Sequence, residues 1–244
     1  MGVKKDSTPL TPPGAHEAAT ASSRNELDAF LARAKAMAPP VSGMRGRLMF
    51  ALDATMSRQP TWDRACSIQA QMFAEAAEVG GLEMQLVYFR GFGECRASKW
   101  IADGHRLGTL MSGIHCRGGL TQIAKVLSRA AAEARKTPVQ AVVYIGDAME
   151  ENVDLLCARA GELGLLKVPL FLFQERGDHA AAMAFKEMAR LSGGAHLAFD
   201  GNSGAELARL LKAVAVYAAG GRKALESRRA GGDDGARLLL DKLR

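Results

Sequence analysis

The sequence predicts an α/β fold, a doubly wound and mostly parallel six-stranded sheet with one antiparallel edge strand and helices on both faces. Three observations predict it. Short, wholly apolar runs at residues 48–52 and 141–145 read as strands buried on both faces. Stretches with helical spacing alternate with such runs through short connections, the pattern of a parallel sheet covered by crossover helices. A tight glycine turn, Gly91-Phe92-Gly93, joins two neighbouring strands and makes that pair antiparallel.

Residues 1–22, rich in Pro, Thr, Ser and Ala, are expected to form a disordered tail. Ser23 and Glu26 make a capping box that opens a helix over 23–40, with Leu27, Phe30, Leu31 and Ala34 on one face and Pro39-Pro40 at its end. The folded domain is expected over 46–217. Its first strand, 48–52, runs into Asp53. Helix 61–79 turns Ile68, Met72 and Phe73 inward and stops at Gly80-Gly81. Strand 84–89 follows, then a weaker strand at 95–101. A helix near 106–114 leads to a glycine loop, His115 to Thr121, and a helix at 121–135. Strand 141–145 precedes Asp147. Helix 154–163, strand 168–173, helix 179–191, strand 195–199 and helix 204–217 complete the domain. Residues 218–244 form a basic tail, in which 236–243 have the spacing of a short amphipathic helix.

A chain of 244 residues with 48% hydrophobic content can bury a substantial core without disulfides. Cys66, Cys95, Cys116 and Cys157 are scattered, with no CxxC pair and no zinc-like Cys/His spacing, as expected of free thiols in the cytoplasm. No run of apolar residues is long enough to cross a bilayer, so no membrane partner is expected. About half of the net charge of +6 lies beyond Ala218, where Arg222, Lys223, Arg228, Arg229, Arg237, Lys242 and Arg244 outnumber the acids. That is a solvated basic tail. No helix-turn-helix pattern and no aromatic–basic platform accompanies it, so nucleic acid is not the expected partner.

Right-handed crossovers place every strand-to-helix loop on the carboxyl edge of the sheet, where open α/β sheets bind ligands. Three polar features fall on that edge. They are Asp53-Ala54-Thr55-Met56-Ser57 after the first strand, Thr121 after Gly118-Gly119, and Asp147 after the 141–145 strand. Taken singly, each is an ordinary cap or turn former. In this order and on one edge they resemble the metal-ion-dependent adhesion site (MIDAS) of the von Willebrand factor A (vWA) family, written D-x-S-x-S, then a loop Thr, then an Asp preceded by a small residue, here Gly146. The resemblance covers residues 46–217, antiparallel strand included. Thr55 replaces the usual Ser, keeping the hydroxyl and adding a methyl, and Ala54 and Met56 stand where the family is richer in Gly and Ser.

The resemblance implies a Rossmann-like vWA fold and a Mg²⁺ ion (or Mn²⁺ or Ca²⁺) held by Asp53, Thr55, Ser57, Thr121 and Asp147. Three hydroxyls and two carboxylates leave a hard divalent cation able to take one more anionic oxygen. The family's use of such a site is to grip an Asp or Glu of a protein partner, which is recognition rather than catalysis. Stand-alone members work inside assemblies, often with an ATPase or other remodelling factor. Arg58, Arg90, Arg117 and Arg176 fall in or beside loops of the same edge and are expected to form a basic collar for an acidic partner, with Trp62 as part of the contact surface and Glu150 and Glu151 opposing the field.

An enzymatic alternative rests on Asp147 and the residues around it, which look similar to the metal-binding strand end of haloacid-dehalogenase-like phosphatases. Asp53 would then be the nucleophile. Its acid/base carboxylate should stand two residues later, where this chain has Thr55. A vWA domain whose metal site is vestigial is the other alternative.

Overall fold

In the computed structural model of the chain, the described residues are 46–62, 66–67, 73, 82–199, 212, 214–215, 218, 226–227 and 230. The expected tail over 1–22, the helix over 23–40, most of the helices at 61–79 and 204–217, and most of the basic tail lie outside them.

Six strands form one sheet: β1 (Gly46–Asp53), β2 (Leu82–Arg90), β3 (Glu94–Ala97), β4 (Ala141–Gly146), β5 (Leu170–Glu175) and β6 (Ala195–Phe199). Their order across the sheet is β3-β2-β1-β4-β5-β6. Every neighbouring pair is parallel except β2–β3, which is antiparallel with Phe89 opposite Cys95. The antiparallel edge follows from the two-glycine turn. Gly91 and Gly93 both take positive φ, 63° and 148°, conformations that a side chain disfavours. Strand β3 is shorter than the 95–101 reading, and Ile101 rejoins the sheet only as an isolated bridge to Met84.

Strand β1 lies at the centre and all eight of its residues are buried, as its unbroken apolar pattern requires of a strand covered on both faces. Side chains alternate between two cores. Leu48, Phe50 and Leu52 join Val143, Ile145, Phe171 and Phe173 on one face, where helix α1 (Gly104–Ser112) contributes Leu107 and Met111. Met49 and Ala51 join Val142, Tyr144 and Leu172 on the other, covered by α2 (Ile123–Lys136), α3 (Val153–Leu165) and α4 (His179–Ser192).

The helix starts explain themselves locally. Asp103, Asn152 and Asp178 sit just before α1, α3 and α4 and each accepts hydrogen bonds from backbone N–H groups of the first turn. Helix α4 ends at Gly193 in the left-handed conformation, φ 74°. Helix α2 has no such cap of its own, and the source of its missing partner lies in the functional site.

Candidate metal centre

The carboxyl ends of β1 and β4 are neighbours, so Asp53 and Asp147 meet where the two strands stop. The loop after Asp53 folds back on itself. The Thr55 amide donates to Asp53 Oδ1 at 2.8 Å, and a 3₁₀ turn over Met56–Thr61 begins at once. Thr55 Oγ1 and Ser57 Oγ lie 3.1 Å apart, and Ser57 Oγ donates to Asp147 Oδ1 at 3.1 Å. Asp53, Thr55, Ser57 and Asp147 are therefore one connected polar cluster.

Thr121 makes no hydrogen bond to these four residues and is held instead by Glu150, three positions after Asp147. Thr121 donates from its amide to Glu150 Oε2 at 2.9 Å, and its hydroxyl accepts from the Glu150 amide at 3.1 Å. It does not cap the following helix, which begins two residues later at Ile123. That helix is capped in trans by Glu151, whose carboxylate accepts from the amides of Ile123 and Ala124. The glutamates expected to oppose a basic collar are thus bound to backbone donors. The glycine loop itself is stitched to the first loop. The Arg117 amide donates to Ala54 O at 3.0 Å, and a Cβ on Gly119 would meet the Gly91 carbonyl oxygen at 2.1 Å. Only a glycine permits that approach.

Electrostatically the site is a carboxylate held under tension. Burial is the largest influence on Asp53 and raises its pKa from 3.8 to about 6, with Asp147 adding to the rise; the Thr55 hydrogen bonds and Arg58 oppose it. Asp53 Oδ2 is buried and makes no hydrogen bond. A buried, partnerless carboxylate oxygen among hydroxyl groups fits a small hard cation, which takes oxygen donors and neutralises what burial penalises. Among the described residues no three His, Cys, Asp or Glu side chains cluster as a metal group, so any ion here depends on the hydroxyls. Arg176 stands beside the site with positive φ, 65°, its Nη1 3.7 Å from Asp147 Oδ2.

The expected collar needs correction at two positions. Arg58 is fully buried, not a surface residue. Its Nε donates to Glu175 Oε2 at 2.8 Å, and its Nη1 lies 3.3 Å from Asp53 O and 3.2 Å from Ile145 O. It ties the ends of β1, β4 and β5 together. Trp62 is also buried, with its indole N–H donating to Ile114 O at 2.8 Å, so it offers no contact surface. Arg90 is bound to Glu94 and to the His115 carbonyl. Arg117 and Arg176 are the exposed pair, with side chains 71% and 44% accessible. Sequence reasoning also missed Glu175, which follows Gln174 at the polar end of a strand whose first four residues are apolar.

Removing Arg58 leaves Glu175 charged and buried. Arg58→Ala should therefore lower unfolding stability by about 3–5 kcal/mol in urea titration, whereas Arg58→Met combined with Glu175→Leu should cost far less. A loss below about 1 kcal/mol for the single variant would contradict the buried pair.

The raised pKa of Asp53 also has a sign. Its folded value of about 6 exceeds the unfolded 3.8, so between those values the native state binds more protons than the unfolded chain. Metal-free stability should then fall as pH rises from about 4 to 6, by on the order of 3 kcal/mol. Asp53→Asn should flatten that slope in chelator; an unchanged slope would show that another group causes it.

No family model matches the chain, and no curated protein matches it in sequence. Solved structures match it in fold. A von Willebrand factor type A protein from Catenulispora acidiphila is similar at 14% identity with TM-score 0.57, over 71% of this chain and 42% of that one. The SpRpn10 VWA domain is similar at 14% identity with TM-score 0.51, over 70% and 94%. The proximal thread matrix protein 1 of the mussel byssus, with a zinc-occupied MIDAS motif, is similar at 12% identity with TM-score 0.56, over 70% and 46%. This chain thus spans less than half the length of the first and third. At such identities the likeness is one of architecture, and the six-stranded sheet with its single antiparallel edge is the Rossmann-like fold of von Willebrand factor A domains.

Proposed function

We propose that this chain is a metal-dependent protein-interaction module. Asp53, Thr55, Ser57, Thr121 and Asp147 would hold a divalent cation, Mg²⁺ or else Mn²⁺ or Ca²⁺, against which a partner protein places an Asp or Glu. The observation that carries the reading is Asp53 Oδ2, buried and without a hydrogen-bond partner beside a second carboxylate and two hydroxyls. The mussel protein supports it by analogy, since its MIDAS motif holds zinc.

The chemistry that a bound ion supplies here is Lewis acidity toward a carboxylate oxygen. The chain's residues prepare for it. Thr55 N–H fixes one Asp53 oxygen and leaves the other free. Ser57 spans from Thr55 to Asp147, so the two strand ends present their donors together. Glu150 holds Thr121 by two hydrogen bonds, which positions the third hydroxyl relative to the Asp147 loop. Two carboxylates formally balance a divalent cation, while the five protein oxygens would leave one of six coordination positions open to an incoming carboxylate oxygen. We infer a cytoplasmic setting within a larger assembly that includes an ATPase or other remodelling factor. Hydrolysis is not part of this reading, because the position two residues after Asp53 carries a hydroxyl, not the carboxylate that would protonate a leaving group.

Thermal unfolding tests the site directly. Mg²⁺ or Mn²⁺ at a hundred times Kd should stabilise wild type by about 2.7 kcal/mol over chelator, and Asp53→Ala should show no response. A wild type indifferent to all three ions, or an Asp53→Ala variant that still responds, would refute metal binding at these residues. In the same samples a generic phosphoester should not turn over.

A further inference from the structure

Beside the candidate metal centre, the β2–β3 turn and the glycine loop enclose a cleft of about 440 Å³ lined by Gly91, Phe92, Gly93, Glu94, Arg117 and Gly118. Its walls belong to the same edge as the metal loop. The Leu120 amide donates to Gly91 O at 3.3 Å, and Arg117 pairs through its backbone with Ala54 and Thr55. The cleft is therefore coupled by backbone hydrogen bonds to residues one and two positions after Asp53.

Its chemistry is mixed in a particular way. Phe92 is 87% exposed at the tip of the turn, and Leu120 and Met56 are each about half exposed on the adjoining loops. Aromatic side chains are enriched at protein interfaces, and Phe92 is an exposed one on the wall of this cleft. Four cations gather at Gly93 and Glu94, on the wall of the same cleft. Arg90 and Arg96 bind Glu94 at 3.1 and 2.9 Å, Arg117 lies 4.0 Å from the same carboxylate, and Lys125 donates to Gly93 O at 3.1 Å. Glu94 is thus shared among three guanidinium groups and cannot neutralise them all. Glu150 and Glu151 keep their charge but are directed to the backbone amides of Thr121 and of Ile123 and Ala124, and neither forms an ion pair with these cations.

We propose that this cleft is a second contact point for the partner, occupied by an acidic segment of a protein that carries a large apolar residue. The apolar side chain packs against the Phe92 ring, and flanking carboxylates pair with Arg117 and Arg96. The assignment of occupant rests on charge complementarity around an exposed aromatic. It also rests on the metal-dependent reading above, since one partner would reach both places on a single edge. The cleft adds sequence preference, because a metal alone accepts any accessible carboxylate.

Panning random displayed peptides of about a dozen residues against the full chain in Mg²⁺ tests the proposal. Enriched peptides should be net acidic with at least one large apolar residue, and they should bind the double variant Phe92→Ser, Arg117→Glu at least about tenfold more weakly. Both side chains are largely exposed, so the variant should retain the wild-type Tm. Basic or charge-neutral enriched sequences, no enrichment, or unchanged binding by the variant would each overturn the cleft. So would displacement of the acidic peptides by an oligothymidine but not by a free acidic peptide. Chelator and Asp53→Ala separate the two readings. Binding that survives both but is lost in the double variant keeps the cleft and removes the metal from recognition. Binding lost in chelator but intact in the double variant keeps the metal and removes the cleft.

Discussion

The carboxyl edge of the sheet is organised around one buried ion pair, Arg58 with Glu175. Taking a guanidinium and a carboxylate out of water costs several kcal/mol per ion, and the cost is recovered only with close geometry and further hydrogen bonds. The first condition is met and the second in part, for Arg58 Nη2 is buried without a hydrogen-bond partner. The pair closes at 2.8 Å, and Arg58 also donates to the carbonyls of Asp53 and Ile145. Three adjacent strands therefore end in register, bound by a single side chain. The 3₁₀ turn that carries Arg58 is the same turn that carries Ser57, so anchoring the arginine also aims the Ser57 hydroxyl at Asp147.

That anchoring leaves Asp53 in an unfavourable place. It is buried, near a second carboxylate, with one oxygen bonded and the other bare. Arg58 offsets the charge only in part, for its guanidinium is turned to the Asp53 carbonyl and to Glu175. A folded protein tolerates such a defect where function uses it. The surrounding loops share the burden. Glu150 and Glu151 reach from the Asp147 loop to hold Thr121 and to cap α2, which joins the β4 end to the glycine loop. The glycine loop in turn packs on the β2–β3 turn. Strand ends, glycine loop and hairpin turn are consequently one surface, on which a cation site and a basic, apolar cleft are neighbours.

Much of this was legible in the sequence. The apolar runs ending at Asp53 and near Asp147 gave away the central strands because burial on both faces admits no polar alternation. The glycine turn disclosed the antiparallel edge. The order of Asp53, Thr55, Ser57, Thr121 and Asp147 pointed to one edge because crossover handedness is nearly invariant. What was hidden were pairings between distant residues. An arginine in a polar loop reads as solvated, and nothing near it in sequence announces Glu175, 117 positions away. Trp62 had two readings in the sequence, core packing and contact surface, and its buried indole, bound to the Ile114 carbonyl, decides for packing. Thr121 had two readings in the sequence, a metal ligand and a helix cap, and the structure removes the second. The cap comes instead from Glu151, a residue of another loop that no local pattern connects to α2.

Anomalous diffraction from crystals grown with Mn²⁺ reads the occupancy of the Asp53 site itself. A single strong peak is expected among Asp53 Oδ2, Ser57 Oγ, Thr121 Oγ1 and Asp147, lost in Asp53→Ala crystals. No peak there at saturating Mn²⁺, with Asp147 paired to Arg176 and Asp53 Oδ2 still bare, would contradict a cation site here.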